Sequence, residues 1–108
     1  WEGVLEIGSE FQALPIILTA VNIGSERRLL PMLKRLHNLY IETSYYTVHR
    51  GIENLVNNIG ASRILFGSGM PYRDPGPALT ALGYSLIGNE EKRMIAGGNL
   101  LRLLKGAA

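Results

Sequence analysis

The sequence predicts an α/β fold of parallel β/α units, and three observations carry that reading. Apolar runs recur at three places, "IILTAV", "NLYIETSYY" and "RILFGS". Between and after them, apolar residues repeat every three to four positions, the period of an amphipathic helix. The composition supports a core, with 46% of residues apolar and 19% charged. Strand and helix alternating in this order give right-handed βαβ crossovers and a parallel sheet. The 108 residues make one domain, or a piece of one, over 1–108.

The chain opens on a weak helical stripe, Val4, Leu5, Gly8 and Phe11. Pro15 then starts the run "IILTAV", read as a strand buried on both faces. Gly24 and Ser25 make a turn with a helix N-cap. The helix that follows carries Leu29 or Leu30, Leu33 and Leu36 on one side, with Pro31 expected in its first turn. In "NLYIETSYY", Leu39, Ile41 and Thr43 alternate with Tyr40, Glu42 and Ser44, which marks a second strand. Ile52, Leu55, Val56 and Ile59 give the clearest helical spacing, ended by Gly60.

"RILFGS" is the third strand. A helix is expected from about Pro75 to Leu86, carrying Leu79 and Leu82, with Asp74 as its N-cap. Asn89 is expected to cap a last helical stretch, with Glu90 and Glu91 near its positive end. Gly97 and Gly98 should interrupt that stretch, and Asn99 should restart it as "LLRLLK".

Each unit takes on the order of 30 residues, which suits a doubly wound sheet or a slice of a (β/α)8 barrel of about 250 residues. Three units cannot close a barrel, and their sheet edges would stand bare. A second copy, making a homo-oligomer, or the remainder of a larger barrel must then complete the core. The start at Trp1 suits a fragment or a trimmed product.

The net charge of +2 is spread over scattered basic residues, as on solvated helix faces, and no nucleic-acid partner is expected. With no cysteine, disulfides, thiol catalysis and Cys-ligated metals are excluded. That composition is compatible with a cytoplasmic location. No apolar run approaches the roughly 18 residues of a membrane span, and the N-terminus has no signal-peptide pattern, so no membrane is expected.

Ligands of α/β folds meet the chain at the C-terminal ends of parallel strands. All three strands here exit into polar residues: Asn22 after the first, Ser44 to His49 after the second, Ser68 to Asp74 after the third. The third exit, Gly67-Ser68-Gly69, lacks the third glycine of a dinucleotide fingerprint, because Tyr72 stands there. No Lys-Ser or Lys-Thr pair makes it a P-loop. Backbone donors of this turn can hold an anion beside Arg73, but glycines and Pro71 also suit a plain sharp turn.

His37, near a helix C-terminus, reads as a surface or capping residue. His49 beside Arg50 and Tyr45-Tyr46 suits binding or acid–base work, or simply a loop. Glu42 reads as an inward polar group paired with a basic residue.

Several of these motifs resemble one family. "ARILFGS" with Pro71 after it, and "EEKRMIAGGNLLRLL", resemble the C-terminal end of the amidohydrolase-related superfamily of TIM-barrel metal-dependent hydrolases and decarboxylases. "NLYIETSYY" and "GIENLVNNIGASRILFGS" look like its penultimate strand and the helix leading into its last one. "LPIILTAVNIG" looks like the strand before those. The resemblance implies a partial, half-barrel-like segment of about three β/α units.

In that family the last strand typically ends Gly-Ser-Asp-x-Pro, and the aspartate binds the catalytic metal or handles the proton of the attacking water. Here the motif reads Gly67-Ser68-Gly69-Met70-Pro71. The earlier strand often ends His-x-Gly, and here the positions read Asn22-Ile23-Gly24. A divalent, zinc-like metal is thus implied for the family, while glycine offers it no carboxylate and asparagine no base.

The resemblance implies a parent hydrolase or decarboxylase of small carboxylate or amide-type substrates, with a small-molecule ligand at this rim. The substrate-binding candidates on this chain are Asn22, Ser44, His49, Ser68, Gly69, Tyr72 and Arg73. No catalytic residue or metal ligand is assigned on it. The alternative is a non-catalytic ligand-binding or structural oligomeric half-barrel.

Overall fold

The structure, a computed structural model, describes residues 2–19, 21, 26–46 and 50–107. Helix α1 (Glu2–Glu10) leads into strand β1 (Ile16–Leu18), followed by α2 (Glu26–Arg35), β2 (Leu39–Glu42) and α3 (Gly51–Ile59). A 3₁₀ turn at Ala61–Arg63 enters β3 (Ile64–Leu65), and α4 (Gly76–Gly83), α5 (Asn89–Arg93), a π-helical turn (Met94–Gly98) and α6 (Asn99–Ala107) complete the order. The sheet is parallel, in the order β1-β2-β3. The alternation of strand and helix read from the sequence is therefore the one that forms.

The register sorts the strand residues by face. Leu18, Ile41 and Ile64 are neighbours across the sheet, as are Ile16 and Leu39. Side chains at register partners of parallel strands share a face. That face meets Leu29, Leu33 and Leu36 from α2 and its exit, Ile52 and Leu55 from α3, and Ile95 of the π turn in one buried cluster. The other face holds Ile17, Tyr40, Glu42 and Leu65. Only Leu65 of these is buried; Tyr40 and Glu42 are half-buried and Ile17 is 41% exposed. Helices thus cover one face of the sheet, as in a slice of barrel wall, where a doubly wound sheet would be covered on both.

This one-sided cover corrects the expectation that the first strand is buried on both faces. It is also shorter than the apolar run, because the pairing ends at Leu18 among the described residues. Asn38 pins the start of the sheet: its Nδ2 lies 2.9 Å from the Leu14 carbonyl and 3.1 Å from that of Phe11. Its own carbonyl accepts the Ile16 amide at 2.9 Å.

Other boundaries differ for local reasons. Pro31 lies inside α2, past its first turn. Its missing N–H leaves the Arg27 carbonyl without a helical donor, and both residues are exposed, where water satisfies that carbonyl. The second strand stops at Glu42, since Ser44 and Tyr45 turn away. Helix α4 ends at Gly83, short of Leu86, where the Ser85 hydroxyl donates to the Leu82 carbonyl at 2.6 Å. At its start Pro75, and not Asp74, occupies the N-cap, and the Asp74 carboxylate accepts the Gly76 amide at 2.9 Å across the turn before the helix. Gly88, and not Asn89, occupies the N-cap of α5, and its amide donates to Glu91 Oε1 at 2.9 Å. The expected N-cap Ser25 lies outside the described residues.

Gly97 and Gly98 do not interrupt the last helix. The chain runs on through a π turn, in which the Asn99 amide bonds to the Met94 carbonyl five residues back. The Ile95 carbonyl, which an α-helix would have paired with that amide, instead accepts the Phe66 amide at 3.0 Å. One widened turn thereby supplies an acceptor to the end of β3. One turn further on, the fully buried Asn99 Nδ2 donates to the carbonyls of Ala61 and Ile64 at 2.6 and 2.8 Å. The C-terminal helix holds the last strand by both its ends.

Candidate functional site

The C-terminal ends of β2 and β3 lie side by side and carry most of the polar residues read from the sequence. Thr43 links them: its amide donates to the Leu65 carbonyl at 3.0 Å, and its hydroxyl accepts the Gly67 amide at 3.4 Å. Glu42, on the face away from the helices, turns its carboxylate back onto the chain. Oε1 accepts the Ser44 amide and Oε2 the Ser44 hydroxyl, both at 2.8 Å. Glu42 is therefore paired with Ser44 and not with a basic residue, which corrects the expectation. The reason is local, because the tight turn after β2 brings both Ser44 donors within reach of the carboxylate.

Gly67 makes room for this arrangement. A Cβ built there would collide with the Glu42 carboxylate, so the first glycine of Gly-Ser-Gly is a steric requirement of the neighbouring strand. Gly69 has a different role. Its φ of +79° is in the left-handed range, and a Cβ there would stand 3.1 Å from Arg73 Cβ. The Gly69 carbonyl accepts the Arg73 amide at 2.9 Å, which folds the loop back on itself. Ser68 Oγ accepts the Met70 amide at 3.3 Å, and the Met70–Pro71 peptide is cis.

Arg73 is the strongest electrostatic feature of this rim. Its Nη1 donates to the Ser44 carbonyl at 3.4 Å, and its guanidinium lies 4.6 Å from the centre of the Tyr45 ring. Among the described residues it forms no ion pair. A cation held by a carbonyl and an aromatic face, with no carboxylate on it, can receive an anionic group.

Of the candidate residues, the structure thus brings Ser44, Gly69 and Arg73 into contact and places Ser68 in the same loop. Tyr72 is 89% exposed and stands out from the group. Asn22 and His49 lie outside the described residues. Sequence reading missed Tyr45 as the platform of Arg73 and Thr43 as the tie between strands. It also left Glu42 without its partner. The "ETSYY" run held a signal for all three, since every residue of a strand's exit lies at the rim.

At this rim Gly69 offers no side chain to a divalent metal, both Glu42 oxygens are taken up by Ser44, and the Asp74 carboxylate accepts the Gly76 amide. Among the described residues, no three His, Asp or Glu side chains gather closely enough to hold an ion. These donors do not fit a metal.

A sheet covered on one face, ending in a polar rim, defines the class. The chain belongs to the amidohydrolase family, whose model matches residues 7–106. Its fold is that of a partial TIM barrel. It is similar to the crystal structure of 5-carboxyvanillate decarboxylase LigW from Sphingomonas paucimobilis, with 19% sequence identity and a TM-score of 0.72. That alignment covers 96% of this chain and 39% of the decarboxylase chain. No curated protein matches the sequence. No helix among the described residues is long and apolar enough to cross a membrane.

Proposed function

We propose that this chain forms part of the substrate rim of an amidohydrolase-type hydrolase or decarboxylase acting on small carboxylate or amide-type substrates. The observation that carries this reading is Arg73, fixed by the Ser44 carbonyl and the Tyr45 ring at the C-terminal end of the sheet. Its unpaired charge would take a substrate carboxylate, and Ser44, Ser68, Asn22 and His49 would line the pocket wall around it. A decarboxylase is among the structures the fold resembles, which accords with a carboxylate ligand.

Calorimetric titration with benzoate and with benzamide tests it. Benzoate should bind, and Arg73→Gln should weaken it by about tenfold or more, since a charge-assisted contact contributes about 1.5–3 kcal/mol. Arg73→Lys should recover part of the loss. Equal benzoate affinity in Arg73→Gln would remove the basis of the proposal.

The second reading, a non-catalytic ligand-binding or structural oligomer, is favoured by Gly69, where the family's carboxylate is replaced by a backbone that crowds any side chain against Arg73. Metal analysis separates the two readings, because stoichiometric zinc in the purified protein would sink the non-catalytic one. In either case the uncovered sheet face needs a partner, which is a second copy or the rest of a barrel. Ile17 of β1 is exposed on that face. A well-folded monomer by light scattering would contradict this.

A further inference from the structure

The geometry points to a phosphate-binding site at the opposite end of the strands from the rim, where Lys34, Arg63 and Arg102 surround a cavity with an uncompensated positive charge. The cavity has a volume of about 500 Å³, and Tyr40, Asn58 and Ser62 also line it. That volume lies in the range of small-molecule sites. Tyr40 enters β2 and Arg63 immediately precedes β3, so the cavity opens at the N-terminal edge of the sheet. It shares no residue with the Ser44–Arg73 group.

The charge balance favours an anion. Lys34, Arg63 and Arg102 each carry one positive charge, and no described carboxylate lines the cavity. None of the three forms an ion pair among the described residues. The cavity lies against the C-terminal ends of α2 and α3, and each helix end contributes about half a negative charge. A surplus of about two positive charges remains, which a phosphate dianion would balance.

The donors are also held in place. Arg63 Nη1 donates to the carbonyls of Leu36 and Leu39 at 2.9 and 3.2 Å, and its Nε and Nη2 hydrogens have no acceptor among the described residues. Burial lowers the pKa of Arg63 and the Tyr40 hydroxyl opposes that shift, yet the guanidinium stays charged. A half-buried cation satisfied only by neutral carbonyls is costly and gains most from an added anion. Arg102 is anchored likewise, with Nη2 donating to the Ser62 carbonyl at 2.8 Å and Nη1 to Asn99 Oδ1 at 3.3 Å. The remaining guanidinium hydrogens and the Lys34 ammonium supply charged donors of the kind that bind phosphate oxygens. The space left in the cavity suits a phosphate monoester of a small metabolite.

The test is calorimetric titration of the chain with inorganic phosphate and with glycerol 2-phosphate, at an ionic strength held constant with sodium chloride. Both should bind saturably at one site. Lys34→Gln, at an exposed position, should weaken both by about tenfold. Tyr40→Phe reports on the same cavity without removing charge and should weaken binding severalfold. Lys105→Gln, which removes an equal charge elsewhere, should change affinity less than twofold. Absence of saturable binding, or equal losses in Lys34→Gln and Lys105→Gln, would overturn the site as surface electrostatics. Glycerol 2-phosphate binding tenfold more weakly than inorganic phosphate would overturn the monoester assignment.

Discussion

Replacing Asn99 by alanine should be among the most damaging single changes to this chain. Asn99 is fully buried, and its Nδ2 is the donor to two carbonyls, those of Ala61 and Ile64, at either end of the turn that leads into β3. Alanine cannot replace either bond, and the native position is closed to bulk solvent. Each buried carbonyl stripped of its donor costs about 1–3 kcal/mol, so the pair costs about 2–6 kcal/mol. A domain of this size has a total stability of about 5–15 kcal/mol, so this is a large share. The expected fall in melting temperature is about 10–25 °C.

Urea unfolding followed by circular dichroism measures the loss. Arg102→Ala provides the contrast. It removes the donor to Ser62 and the partner of Asn99 Oδ1, but at an exposed residue, and should cost about 1 kcal/mol or less. If Asn99→Ala lost less than about 1 kcal/mol, or no more than Arg102→Ala, the reasoning that the C-terminal helix anchors the last strand through a buried amide would be refuted.

Two further outcomes follow from the glycines of the third strand's exit. Gly67→Ala should destabilise by about 1–3 kcal/mol as its Cβ drives the Glu42 carboxylate off Ser44. In a Glu42→Ala background the same change should cost less than about 0.5 kcal/mol, and equal costs in both backgrounds would show that the two sites are uncoupled. Gly69→Asp places a carboxylate at a left-handed φ with Arg73 against it. It should cost about 1–3 kcal/mol and leave the metal content unchanged. A stoichiometric metal gained by that variant would show that the rim is nearer a ligand set than its described donors indicate.

Much of this fold was legible in local pattern. The period-two run Leu39–Thr43 and the period-3.6 run Ile52–Ile59 form the elements they predict, because burial selects residues at the spacing of the backbone repeat. The run "IILTAV" misled, since an unbroken apolar stretch cannot say which face has a cover. Here Ile17 stays exposed because the helices pack on the other face of the sheet. The paired glycines misled in the opposite direction. Gly97 and Gly98 read as a break, yet the π turn passes through them because the freed Ile95 carbonyl is claimed by Phe66, about 30 residues away in sequence.

The rim shows the same division. That polar residues gather at the strand ends, and that Gly69 offers no side chain there, could be read from the order of residues alone. The pairing of Glu42 with Ser44, the placement of Arg73 over Tyr45, and the steric need for Gly67 could not. The sequence by itself determined the alternation of elements, the parallel sheet and the family, because these follow from periodicity and motif. Only the tertiary structure decided which face lies open and which donors share an acceptor. Those depend on register across strands and on contacts between residues tens of positions apart, which no local pattern encodes.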